Sequence, residues 1–193
     1  MQAPIEPHQQ STAEKAATPH WRTRPLVLVG LMGAGKSSVG KRLAKQLGWR
    51  FVDSDEEIEA AAGCSISDIF AIHGEPIFRD LERRVIARLL GAEPLVLATG
   101  GGAWMQPPVR EVIRAQATSV WLRAEIEVLL ERVSRRDHRP LLENGDKRAI
   151  LERLMAERYP VYAEADVAVD SGHGAQERVV ERVIAALEGA ISG

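Results

Sequence analysis

The sequence predicts an α/β fold in which a parallel β-sheet is covered by helices on both faces. Five short, apolar, β-favouring runs occur along the chain, and segments with helical periodicity separate them. This alternation favours parallel strands, because a helix between two strands returns the chain to the same edge of the sheet. The length of 193 residues corresponds to one domain, and the sequence contains no internal repeat.

The predicted elements follow in a regular order. The strands are runs dominated by Val, Leu and Ala, namely Leu26–Val29, Phe51–Val52, Leu95–Ala98, Ser119–Leu122 and Val167–Val169. The helices have apolar residues three or four positions apart, as Val39, Leu43 and Leu47 are in the first of them. They are Ser37–Leu47, Glu56–Ala62, Ser67–Ile72, Phe78–Leu90, Pro108–Ala115, Ile126–Val133, Lys147–Tyr159 and Gln176–Ile191.

Composition excludes several classes of protein. Hydrophobic residues make up 45% of the chain and charged residues 27%, as in folded globular proteins. The net charge of -2 provides no positive field for nucleic acid, and no run reaches the roughly 18 to 20 apolar residues of a membrane-spanning helix. We therefore expect no nucleic-acid or membrane partners. We also expect a monomer, although no sequence feature bears on the oligomeric state. The single cysteine, Cys64, excludes an internal disulfide and favours a reducing cytoplasm.

The first 24 residues differ from the rest of the chain. They contain Pro4, Pro7 and Pro19 among Gln, Thr and His residues, and they lack an apolar segment. We predict a disordered tail over residues 1–24 and a single domain over residues 25–193.

Gly30 to Ser37 reads Gly-Leu-Met-Gly-Ala-Gly-Lys-Ser, the complete phosphate-loop (P-loop) pattern. A predicted strand precedes it and an amphipathic helix follows it, which surrounds a phosphate chain with backbone N–H groups and the positive end of a helix. Lys36 is expected to reach the β- and γ-phosphates of a nucleotide, and Ser37 to bind Mg²⁺. Together with the predicted parallel sheet, this motif indicates a three-layer αβα P-loop fold.

Two carboxylates, Asp53 and Asp55, end the second predicted strand. Residues two apart in an extended segment point to the same side, so both can face the phosphates or an acceptor beside them. One carboxylate could act on the water shell of the metal, and the other could accept the proton of a substrate hydroxyl. Helix capping by Asp55 is the structural alternative.

Further candidates bind anions. Arg79 and Glu82 share one face of a helix, so Glu82 could aim Arg79 at an anionic substrate, unless both belong to a solvated charged face. The glycines at 100, 101 and 102 end the third strand and permit close backbone approach. Arg158 stands near a helix end at Pro160, where it could also simply complement the helix dipole.

The polar stretch from Ser134 to Asp146 lacks hydrophobic periodicity and is rich in arginine. We predict a mobile lid at about residues 135–145 that covers a phosphate and delivers an arginine to the transferring group.

In combination these motifs resemble the shikimate kinase family, over about residues 25–172. The matching segments are the P-loop, Asp53-Ser54-Asp55, Gly74 to Arg79, the triple glycine, Arg139-Pro140-Leu141-Leu142, and Arg158 to Tyr162. Ser38 stands where many members have Thr, and Val161 where the common form has Leu. The resemblance implies a five-stranded sheet in the order 2-3-1-4-5 and transfer of a phosphoryl group from MgATP to shikimate.

The resemblance also implies roles for individual residues. Asp55, Arg79, Gly101 and Arg158 would bind shikimate, and Asp53 would act on Mg²⁺ through water. Lys36, Asp55 and Arg139 would be catalytic. ATP would contact Gly33, Ala34, Gly35, Lys36, Ser37, Ser38 and Arg139, with either Arg135 or Arg136 at the adenine. Another small-metabolite kinase, such as a gluconate kinase, and a non-catalytic nucleotide-binding module are the alternatives.

Overall fold

The computed structural model describes residues 20–135 and 146–190. Five strands lie in this part of the chain: β1 (Leu26–Val29), β2 (Arg50–Asp53), β3 (Leu95–Ala98), β4 (Thr118–Arg123) and β5 (Val167–Asp170). Its α-helices are α1 (Lys36–Leu47), α2 (Ser54–Ala62), α3 (Ile66–Leu90), α4 (Pro107–Gln116), α5 (Ile126–Ser134), α6 (Lys147–Tyr162) and α7 (Gln176–Gly189). Short 3₁₀ helices cover His20–Thr23 and Ala103–Met105.

The strands form one parallel sheet in the order β2-β3-β1-β4-β5, which confirms the predicted fold class and order. All residues of the central strands β1 and β3 are buried, because helices cover both faces of the sheet. Helix α1 packs against α7, and α3 packs against α4. In this arrangement the carboxyl ends of β1, β2 and β3 meet at one edge, where parallel sheets bind their ligands.

Helix α3 joins two segments that the sequence predicts as separate helices. The chain kinks at Gly74, whose φ of 77° and ψ of 173° are not helical, and Pro76 lies in the first turn of the second segment. Toward the other end of the chain, α6 continues through Pro160 to Tyr162 instead of ending at the proline. Its last turn is closed by the Ala163 amide, which donates to the Tyr159 carbonyl at 2.9 Å.

Residues 20–24 belong to the folded unit, so the predicted boundary of the tail at residue 24 is too late. The Trp21 side chain is only 3% exposed within the core. Arg24 also donates to the Arg114 carbonyl at 3.0 Å. A single buried indole anchors this segment, and one aromatic residue in a polar stretch has no periodicity by which it could be recognised. Within the described ranges, no helix is long and apolar enough to cross a membrane.

Candidate active site at the carboxyl edge of the sheet

The P-loop runs from the end of β1 into α1. Gly30, Gly33 and Gly35 have φ values of 140°, 83° and 95°, which side chains other than glycine rarely adopt. At Gly30 a Cβ would also lie 2.7 Å from the Leu122 carbonyl oxygen, so the loop closely approaches β4. Lys36 is the first residue of α1, and its Nζ donates to the Gly30 and Leu31 carbonyls at 2.8 and 3.0 Å. The Lys36 side chain thus folds back over the first residues of the loop.

Asp53 connects the P-loop to α2. Its Oδ2 accepts a hydrogen bond from Ser37 Oγ at 3.0 Å, and its Oδ1 accepts one from the Asp55 amide at 3.1 Å. Asp53 is therefore the N-cap of α2, a role that the sequence suggested for Asp55. Because Asp53 supplies the cap, the Asp55 carboxylate is available for another purpose.

The Asp55 side chain lies against the triple-glycine turn. A Cβ at Gly100 would be 2.8 Å from Asp55 Oδ1, so only glycine leaves room for this carboxylate. Burial and the neighbouring Asp53 raise the pKa of Asp55, while the Lys36 ammonium opposes that shift. A carboxylate with a raised pKa beside the P-loop lysine is suited to exchange a proton with a bound hydroxyl.

Arg79 and Glu82 form the predicted pair on α3. Arg79 Nη1 donates to Glu82 Oε2 at 2.8 Å, and Glu82 is 1% exposed. Burial raises the pKa of Glu82, and the adjacent guanidinium opposes the shift. A second carboxylate, Glu75, accepts from Nε and Nη2 of the same arginine at 3.1 and 3.0 Å. The sequence patterns did not predict this contact.

Arg158 reaches the same glycine turn from α6. Its Nη1 donates to the Gly101 carbonyl at 3.0 Å, and the Tyr162 hydroxyl donates to the same oxygen at 2.5 Å. Tyr162 is fully buried, which raises its pKa to about 12, so the hydroxyl remains a donor. Arg79 lies beside the turn at Gly102, where a Cβ would be 2.9 Å from its Nη2. The two arginines therefore lie beside successive residues of one turn.

A cleft of about 700 Å³ extends along this edge of the sheet. Most of the predicted site residues in the described ranges line it, namely Gly33, Gly35, Lys36, Ser37, Ser38, Asp53, Asp55, Gly101 and Arg135. Ala34, Arg79 and Arg158 are not among the lining residues. The Ala34 side chain is buried and its amide donates to the Leu31 carbonyl at 3.2 Å, and the two arginines lie beside the glycine turn. Arg136 and Arg139 lie outside the described residues, as does the lid from 136 to 145.

Arg132 is a residue of this cleft that sequence reasoning missed. Its guanidinium donates to the carbonyls of Gly33, Ser171 and Gly172, at 3.2, 3.2 and 2.6 Å, and so joins the P-loop to the β5–α7 connection. By contrast, Arg135 is 74% exposed and pairs with Glu131. Arg132 lies one turn before the arginine-rich stretch, on the face of α5 that carries Leu129 and Val133. This helical spacing is the sequence feature by which Arg132 could have been recognised.

The oxygen ligands of this site suit an Mg²⁺ ion that is coordinated mainly by phosphate oxygens and water. The Ser37 hydroxyl and the Asp53 carboxylate are oxygen donors held against each other beside the P-loop. Among the residues that the structure describes, no group of three or more His, Cys, Asp or Glu side chains could hold a metal ion by itself. The arrangement therefore suits a cation that arrives with a nucleotide.

A P-loop followed by an acidic strand end, on a parallel sheet of this order, defines a P-loop phosphotransferase. The family model for shikimate kinase matches residues 32–188, and the chain belongs to the shikimate kinase family. A shikimate kinase from Paramagnetospirillum magneticum is 62% identical over 164 residues, covering 85% of this chain and 84% of the relative.

Solved structures agree with this assignment. The shikimate kinase from Acinetobacter baumannii in complex with shikimate has a TM-score of 0.81 and 38% identity, and the match covers 86% of this chain and 94% of that one. A gluconokinase from Sinorhizobium meliloti shares only the fold, at 21% identity over 88% of this chain and 94% of that one, with a TM-score of 0.58.

Proposed function

We propose that the protein transfers the γ-phosphoryl group of MgATP to the 3-hydroxyl of shikimate, giving shikimate 3-phosphate and ADP. The observation that carries this proposal is the position of Asp55 between the P-loop and the glycine turn, beside which Arg79 and Arg158 both lie. A hydroxylated carboxylic acid bound beside that turn would place a hydroxyl at Asp55 and its carboxylate at the arginines.

The nucleotide side of the site acts through fixed positive charge. Backbone N–H groups of the P-loop and the N-terminus of α1 would surround the β-phosphate. Lys36 would stabilise the charge that develops on the transferring group. Mg²⁺, when bound, neutralises phosphate charge, and Ser37 and Asp53 would hold it, Asp53 through water. Arg132 and Arg135 line the nucleotide end of the cleft, and we propose that one of them contacts adenine.

The acceptor side acts through Asp55 and two arginines. Asp55 would accept the hydroxyl proton as the oxygen attacks phosphorus, and its raised pKa favours that transfer. Arg79 and Arg158 would bind the carboxylate of shikimate, and we call this pair the carboxylate clamp. Gly101 would bring its backbone against the ring of the acid. Arg139, outside the described residues, retains the transition-state role that its motif predicts.

Release of ADP tests the proposal. Purified protein is assayed with MgATP alone, with added shikimate, and with added gluconate. We expect ADP release to depend on shikimate and to remain at the background rate with gluconate. Turnover of gluconate at a comparable rate would assign the protein to another group of P-loop kinases, and equal release without an acceptor would indicate a nucleotide hydrolase.

We further propose a monomeric enzyme that acts in the cytoplasm. Support for the location is the single cysteine, Cys64, which is unpaired. Sedimentation of the full chain at assay concentration measures the oligomeric state, and a dimer would contradict the first part of the proposal.

A further inference from the structure

Two carboxylates hold the guanidinium of Arg79, and they differ sharply in exposure. Glu82, bound to Nη1 at 2.8 Å, is 1% exposed. Glu75, whose Oε1 accepts from both Nε and Nη2, is 61% exposed. Nε and Nη2 form one of the two edges of a guanidinium that bind a carboxylate in a planar, bidentate manner. In this structure Glu75 occupies that edge.

The other bidentate edge, between Nη1 and Nη2, faces Gly102 and shares Nη1 with Glu82. A Cβ built on Gly102 would be 2.9 Å from Nη2, 3.1 Å from Nη1 and 3.3 Å from Cζ. That point lies beyond the Nη1–Nη2 end but well out of the plane of the guanidinium. Within the plane, this edge is restricted by the buried Glu82, whose Oε2 accepts from Nη1 at 2.8 Å. An incoming carboxylate therefore has the Nε–Nη2 edge as its planar binding position.

We propose that Glu75 is a specificity-determining residue, whose carboxylate occupies the edge of Arg79 that the carboxylate of the substrate takes over. The inference rests on the carboxylate clamp of the proposed function. The substrate binds by exchange: it displaces Glu75 from Nε and Nη2, while Glu82 remains on Nη1.

Exposure decides which carboxylate leaves. When Glu75 is displaced, it moves into water and regains full hydration at little cost. Displacement of Glu82 would leave an unpaired carboxylate in a buried position, which is far less favourable. Glu82 therefore keeps Arg79 oriented, and the ligand displaces Glu75.

Exchange also provides selectivity for anions. A ligand with a carboxylate replaces one ion pair with another, so the exchange costs little. A neutral ligand, such as the carboxamide of the same acid, gives weaker hydrogen bonds than the ion pair it breaks. Glu75 thus disfavours neutral analogues and somewhat weakens the binding of the true substrate.

The experiment compares Glu75→Gln with the wild type in steady-state kinetics. Gln keeps the size of the side chain but removes the competing charge. We expect the KM for shikimate to fall about two- to fivefold, as loss of a partly exposed ion pair would produce. Values of kcat and of the KM for ATP should stay within about twofold, since these depend on the P-loop and on Asp55.

Two controls identify the cause. Asp80→Asn makes the same change in net charge on the same helix, where Asp80 pairs only with the exposed Arg83 and Arg84 among the residues described. It should leave the KM for shikimate unchanged. Inhibition by the carboxamide analogue of shikimate should strengthen more than shikimate binding in Glu75→Gln, because the variant no longer penalises a neutral group.

An unchanged or higher KM in Glu75→Gln would overturn the inference, and a higher value would show that Glu75 holds Arg79 for the substrate. An equal fall in Asp80→Asn would also overturn it, since a long-range charge effect would then suffice. The variant Arg79→Ala separates these results from failure of the clamp. If Arg79→Ala leaves the KM for shikimate unchanged, the clamp itself is wrong. Absence of shikimate turnover by the wild type would refute the proposed function.

Discussion

The two halves of the cleft are built in different ways. The nucleotide half is centred on one continuous segment, Gly30–Ser37, in which the Lys36 side chain bonds to carbonyls five and six residues away. The acceptor half joins residues far apart in the chain, as Arg158 and Gly101, 57 positions apart, illustrate. A short-range motif with fixed backbone angles can form wherever a strand enters a helix. The acceptor half forms only when β2, β3 and α6 are packed together in the folded chain.

The two halves also differ in role, so a substitution in the P-loop should affect chemistry and one in the carboxylate clamp should affect recognition. Lys36→Ala should give the largest effect, a loss of turnover of at least about 100-fold, because the ammonium acts on charge that develops in the transition state. Thermal melting should remain close to that of the wild type, since the side chain lies at the mouth of a loop.

The matched control for this prediction is Lys45→Ala, which removes the same side chain from an exposed position of α1. It should leave turnover unchanged. Turnover of Lys36→Ala within about tenfold of the wild type would contradict the role of Lys36.

Arg158→Ala should give the second largest effect and act on binding. Loss of a charge-assisted hydrogen bond of about 1.5–3 kcal/mol raises the KM for shikimate about 10- to 150-fold. The KM for ATP should change little, because Arg158 contacts the glycine turn and not the P-loop. Arg158→Lys should restore only part of the affinity, since an ammonium cannot reproduce a planar fork.

Arg153→Ala serves as the control on the same helix. Arg153 is 69% exposed, and its distance to Glu157 is 4.0 Å. Parallel increases in the KM values for ATP and shikimate in Arg158→Ala would contradict a role confined to the acceptor half.

The smallest expected effect concerns the stability of the fold at Asp55, where the two halves meet. Because burial and Asp53 raise the pKa of Asp55, the folded state binds its proton more tightly than the unfolded state does. The contribution of Asp55 to the free energy of unfolding therefore falls as pH rises from the ordinary value of 3.8 through the raised pKa. Above that pH the ionised carboxylate is a constant cost to stability.

Asp55→Asn should accordingly melt at a higher temperature than the wild type at pH 7, while its turnover is largely lost. The difference in melting temperature should shrink as pH falls toward 4. In the wild type, the acid limb of kcat/KM should lie above the ordinary pKa of an aspartate. A variant that melts lower than the wild type at pH 7 would show that the carboxylate stabilises the fold.

Contacts of the site between residues close together in the chain could be predicted from the sequence, and contacts between distant residues could not. The pair Arg79–Glu82 is three residues apart on a helix, so helical geometry alone suggested it. Glu75 and Arg79 are four apart, yet the kink at Gly74 obscured the helix to which both belong. Arg132 was missed because its partners, the carbonyls of Gly33 and Ser171, lie 99 and 39 positions away.

By itself, the sequence determined the strands, most of the helices and the P-loop, because periodicity and backbone preference act between near neighbours. It also placed Asp53 and Asp55 at a strand end. Only the tertiary structure decided that Asp53 caps α2 and leaves the Asp55 carboxylate free of the cap, and that Tyr162 and Arg158 share the Gly101 carbonyl. These contacts depend on which strands are neighbours in the sheet, and that order is set by packing of the whole chain.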